Sequence, residues 1–77
     1  MASRKDLSEI AQLRRQIAAE YAAMRFAISG LSQGMASHDF IRARFKNVGA
    51  CCDRLETYVG EQEATTIMCE LYDEIMQ

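Results

Sequence analysis

The groups in this 77-residue chain with chemistry to offer are one histidine, three cysteines and eleven carboxylates. His38 is followed by Asp39. Imidazole titrates near neutral pH and is the most versatile acid–base side chain, so a carboxylate neighbour draws attention. Adjacent residues at the start of a helix do not face each other, however, and capping of the turn is the expected role. Cys51, Cys52, Cys69 and His38 are four zinc-type ligands by residue type. Structural zinc is held by ligands two to four residues apart at each end of the site, whereas successive helical residues point about 100 degrees apart. No metal site is expected from this set.

Other catalytic patterns are missing as well. No Glu-x-x-His pair offers a carboxylate-bridged metal centre, and Gly30 and Gly34 lead into no Gly-Lys-Ser/Thr phosphate loop. Met24 and Met68 of the five methionines stand at core spacing, which favours packing over an adaptable ligand groove. A helical bundle of this length also has little room for a substrate pocket of about 300 Å³ or more. Neither enzymatic activity nor a cofactor is expected.

The cysteines bear on compartment. An odd number with two adjacent makes no disulfide framework, so reduced thiols are expected. Cys52 falls on an apolar stripe and reads as core, while Cys51 reads as exposed or interfacial. The amino-terminal residues have no apolar core of the secretory type, and no uncharged apolar run approaches the roughly 20 residues that span a bilayer. A cytoplasmic protein without membrane contact is the expectation.

Any such groups must be positioned by helices. Proline is absent and glycine occurs only four times, which leaves few breaks for sheets and turns. Over about 6–32, Ile10, Leu13, Ile17, Tyr21, Met24, Ile28 and Leu31 follow spacings of three and four and share one helical face. Ser3 or Asp6 can cap this segment, Asp6 with Glu9 as its capping-box partner, and Gly30 and Gly34 mark its end. Ala11, Ala18, Ala22 and Ser29 gather to one side, where small residues either favour the helix or admit a close backbone.

The second helix, about 38–59, starts from a Ser37 cap and carries the stripe Ile41, Phe45, Val48, Cys52, Leu55 and Val59. Phe40, Cys51 and Tyr58 widen its apolar arc, and Gly49 in its middle permits a close crossing or a slight bend. Gly60 separates it from a third helix, about 61–76, with Ala64, Ile67, Met68, Leu71, Tyr72 and Ile75 on its apolar face. Ile17, Met24, Ile28, Ile41, Phe45, Val48, Cys52, Leu55, Leu71 and Ile75 are the predicted core.

The predicted fold is therefore all-α: one helical domain over 1–77, built as a long helical hairpin plus a short C-terminal helix. The helix lengths are badly matched, and a chain this small hides only about 60% of its unfolded surface. Completion of a helical bundle by dimerisation follows as an expectation, two-fold dimers being the commonest assembly.

Charge is segregated along the chain. Residues 1–54 hold all nine Lys and Arg against five acids, a balance of +4, whereas residues 55–77 hold six acids and no base, a balance of −6. The simplest consequence is mutual attraction within the fold or between subunits. Glu63, Glu70, Asp73 and Glu74 are candidate contacts for a basic partner, and Arg14, Arg25, Arg42, Arg44 and Lys46 for an acidic partner or nucleic acid. The overall charge of −2 and the single residue between helices two and three disfavour a helix-turn-helix reader of DNA. The functional expectation is a non-enzymatic protein–protein interaction module: a small scaffold, adaptor or regulatory subunit, acting as a helical homo-oligomer with an unidentified protein partner. Weak nucleic-acid association through the basic residues is the alternative.

Overall fold

A computed structural model describes residues 3–28 and 38–76 of the chain. The described residues form three α-helices and no strand: α1 (Arg4–Ile28), α2 (His38–Val59) and α3 (Glu61–Met76). Expectations that rest on Ser29, Gly30, Leu31, Gly34, Met35 and Ser37, or on the side chain of His38, lie outside the described residues.

Helix α1 starts on Ser3. The Asp6 amide donates to Ser3 Oγ at 3.1 Å, and the Ser3 amide donates back to Asp6 Oδ2 at 3.4 Å. This is a reciprocal capping box in which aspartate takes the position usual for glutamate, a device worth about 1 kcal/mol. Of the two candidate caps, Ser3 is the one in use, and Asp6 rather than Glu9 is its partner.

Contacts between the helices set their directions. Glu9 meets Arg54, and Glu20 meets Arg44 and Asn47, so α1 and α2 run antiparallel as a hairpin. The chain then reverses at Gly60, whose φ of 90° lies in the left-handed region open to glycine. The Gly60 amide donates to the Glu56 carbonyl at 2.9 Å, and the Gly60 carbonyl accepts from the Ala64 amide at 3.0 Å. One residue thus ends α2, turns the chain and starts α3. Tyr21 and Tyr72 pack edge to face with ring centroids 5.6 Å apart, which brings the last turns of α3 level with the second half of α1.

Each helix packs on both others around one core. Ile17, Met24 and Leu55 are fully enclosed, and Leu13, Tyr21, Val48, Cys51, Ala64, Ile67 and Leu71 complete the buried cluster. Burying a side chain such as Ile17 or Leu55 contributes about 1.5–3 kcal/mol. Among the predicted core residues, Ile41, Cys52 and Ile75 are partly buried against this cluster. Ile28 and Phe45 depart from expectation, at 57% and 52% exposure.

Both departures have a geometric cause. Helix α1 packs along the Arg44, Asn47 and Arg54 side of α2, which rotates the buried line of α2 onto Val48, Cys51 and Leu55. Cys51 therefore takes the core place expected of Cys52, and Phe45 moves toward the edge. At 1.5 Å per residue, α3 is about 24 Å long beside about 37 Å for α1. The final turn of α1, with Ile28, runs past its end. Gly49 supports no close crossing, since a Cβ there would meet no atom within 4 Å.

The assembly of three helices is a rod rather than a ball. Its extents are 47 × 21 × 20 Å and its radius of gyration is 13.6 Å, against about 11.5 Å for a compact domain of this length.

Candidate interaction surface

A part-buried polar cluster lies in the seam between α1 and α2. Glu20 projects from the core-facing side of α1, three residues after Ile17 and four before Met24. Arg44 stands likewise between Ile41 and Val48 on α2. Arg44 Nη1 comes within 3.1 Å of Glu20 Oε1, and Asn47 Nδ2 donates to Glu20 Oε2 at 3.1 Å. The Arg44 guanidinium also lies over the Phe40 ring, 5.2 Å from its centroid, a cation–π placement. The Glu20 side chain is only 12% exposed. The Arg44–Glu20 contact is an ion pair without hydrogen-bond alignment, and Arg44 Nε is buried with no acceptor. The seam is thus charge-compensated but not fully hydrogen-bonded, which suits a device that fixes helix register better than one that maximises stability.

The thiols beside this seam are not activated. Burial raises the Cys51 pKa above 9.0, with the Glu20 carboxylate adding to the effect and Arg54 opposing it. Cys52 is raised too, by burial first, then by Glu56 and Asp53. Its thiol donates toward Glu56 Oε2 at 3.9 Å. Tyr21 is pushed above 10.0 by burial and then by Cys52, Cys69 and Tyr72. A nucleophilic cysteine needs a lowered pKa, so Cys51 and Cys52 have the properties of packing residues. All three cysteines are free: Cys51 buried, Cys52 intermediate and Cys69 exposed. Among the described residues no three His, Cys, Asp or Glu side chains are grouped as a metal would need.

The basic residues singled out by the sequence do not share one face. Arg44 is drawn into the seam with Glu20. Arg42 and Lys46, each two residues from it, stand about 160 degrees around α2 and are exposed. Arg14 is half-buried on α1, and Arg25 is exposed in the last turn of that helix. On the acidic side, Glu63 is exposed in the first turn of α3, and Glu70, Asp73 and Glu74 are exposed in its last two turns.

What the sequence did not single out is a set of exposed apolar side chains. Phe26 is 66% exposed, and Ile28, Phe45 and Tyr72 are also large and exposed. These four come from the end of α1, the first half of α2 and the end of α3. Phe26 shares a shallow recess with Ala22, Arg25 and Ile75, and Tyr72 lies against Tyr21. Phe45 precedes Gly60 by as many residues as Ile75 follows it, so the antiparallel pairing sets Phe45 level with the last turn of α3. Leu7, also large and exposed among the described residues, stands near the other end of α1. No helix among the described residues is long and apolar enough to cross a membrane. Compared with known proteins, the chain matches no family model, no curated protein and no solved structure.

Proposed function

We propose that the chain is a non-enzymatic protein–protein interaction module that works as a helical oligomer in a reducing, cytoplasmic setting. The observation that carries this reading is the exposure of four large apolar side chains, Phe26, Ile28, Phe45 and Tyr72, drawn from all three helices. Aromatic side chains contribute most to association when a partner removes them from water.

Light scattering on the purified chain across a micromolar concentration series tests the oligomer. A mass that rises toward twice 8.7 kDa is expected. A mass that stays at the monomer value throughout rejects it.

A further inference from the structure

We infer that the Glu20–Arg44 pair is a latch that selects between two rotations of α2. Its release rolls α2 by about 50 degrees about its own axis, which buries Phe45 and brings Cys51 out of the core. The roll stands on the packing of α2 alone; its consequence for a partner rests on the interaction reading above.

Helix α2 carries two apolar lines that share Val48 and Leu55. The buried line adds Cys51. The other adds Ile41, Phe45, Cys52 and Val59, with spacings of four and three throughout. At about 100 degrees per residue, the mean directions of the two lines differ by about 50 degrees. In the structure the second line is turned partly outward: Ile41, Cys52 and Val59 are half-buried and Phe45 is exposed. Apolar burial alone would favour the second line, because phenylalanine hides far more apolar surface than the cysteine whose place it takes.

What holds the first line inward lies on the side of α2 that faces α1. Arg44 and Asn47 reach Glu20 there, and Arg54 meets Glu9. A roll that turns Phe45 inward carries Arg44, Asn47 and Arg54 away from the core together. The hold is incomplete: Arg44 Nε and Glu20 Oε1 are buried without a hydrogen-bond partner. The Arg54–Glu9 contact, at 3.5 Å with Arg54 65% exposed, is a surface pair of small effect. The flank that turns toward α3 has room, since a Cβ at Gly49 would meet no atom within 4 Å. Glu56, half-buried on that flank, moves inward as well, and its carboxylate is the chief cost of the rolled state. Latched, the chain offers Phe45 to a partner; rolled, it withdraws it. A partner that seats Phe45 therefore holds the latched form, because a ligand shifts an equilibrium by the difference in its affinity for the two states.

Timed thiol labelling of the full chain, with tandem mass spectrometry to tell Cys51 from Cys52, reads the rotation. In the wild-type chain the half-buried Cys52 reacts before the buried Cys51. In Glu20→Gln, and separately in Arg44→Gln, the order is expected to invert, with Cys51 gaining at least about tenfold in rate relative to Cys52. The two variants break the pair from opposite sides, so the test survives misfolding of either, and circular dichroism verifies that the helices remain. Glu20→Arg combined with Arg44→Glu restores a pair of opposite charge and is expected to restore the wild-type order. A loss of stability by itself would not be rescued in this way.

An unchanged order in the single variants overturns the latch. So does a rate that rises equally for both thiols, which is the mark of general opening rather than of a roll. Neither outcome bears on the interaction reading, which light scattering tests on the wild-type chain.

Discussion

Glu20 and Arg44 approach to 3.1 Å across the α1–α2 seam, with the Glu20 side chain almost entirely withdrawn from water. Opposite charges in such a place couple the two helices at one level and leave little freedom for a slip in register.

Removing one partner is therefore expected to cost more than a surface ion pair would. Glu20→Ala strands Arg44 and takes the acceptor from Asn47, and a loss of about 1–3 kcal/mol is expected in chemical denaturation. Replacing both Glu20 and Arg44 by leucine is expected to be close to neutral, because a packed apolar pair substitutes well for a buried ionic one. Strictly additive effects of Glu20→Ala and Arg44→Ala in a double-mutant cycle would show that the two are not coupled.

The two glycines of the described helical region are expected to respond in opposite directions. Gly60→Ala forces a Cβ into a left-handed conformation at φ 90°. With open space around the site, the cost is purely of the backbone, about 1–2 kcal/mol. Gly49→Ala fills open space on an exposed helical position and is expected to stabilise by about 0.5–1 kcal/mol. Each kcal/mol moves the melting temperature of a domain this size by about 4–8 °C. A thermal scan in which both variants shift the same way would contradict this assignment.

Stability is expected to fall on the alkaline side. Cys51, Cys52 and Tyr21 all have pKa values raised by folding, from 9.0 for the thiols and 10.0 for the phenol. Above these values the unfolded chain has released protons that the native chain still holds, so unfolding becomes easier as pH rises. The stabilisation is complete below about pH 9 and disappears as pH climbs through the native pKa values. Denaturant midpoints that stay level from pH 8 to about pH 11 would refute it.

Thiol reactivity is expected to rank the three cysteines by burial. Under native conditions Cys69 should react first with a thiol reagent, Cys52 later and Cys51 only on opening of the fold. Peptide mapping after timed labelling measures the order. Rapid modification of Cys51 in the folded chain would contradict its place in the core.

Three helices in this order were legible because spacings of three and four persist through each apolar stripe. The capping serine and the reversal at Gly60 were legible from residue type. The rotation of α2 was not. Its apolar arc spans Phe45, Val48, Cys51, Cys52 and Leu55, and one helix alone does not say where in so wide an arc two neighbours will divide it. Glu20 and Arg44 carried the missing signal: each is an ionisable residue three after and four before core positions, and the two have opposite charge. Pairing them across the hairpin sets the rotation that buries Cys51 and leaves Phe45 at the edge. The exposure of Ile28 was legible only as a mismatch of helix lengths. Phe26 was missed because it faces away from the α1 stripe, where periodicity assigns polar residues.

The most direct measurement of how the chain associates is a dilution series of amide spectra. If the exposed side chains of Phe26, Phe45 and Tyr72 carry the contact between copies, the amides of these residues shift on dilution. Those of Leu7, Glu9 and Arg54, around the first half of α1, stay in place. Spectra that superpose at every concentration, or shifts confined to the Leu7 end, would contradict it.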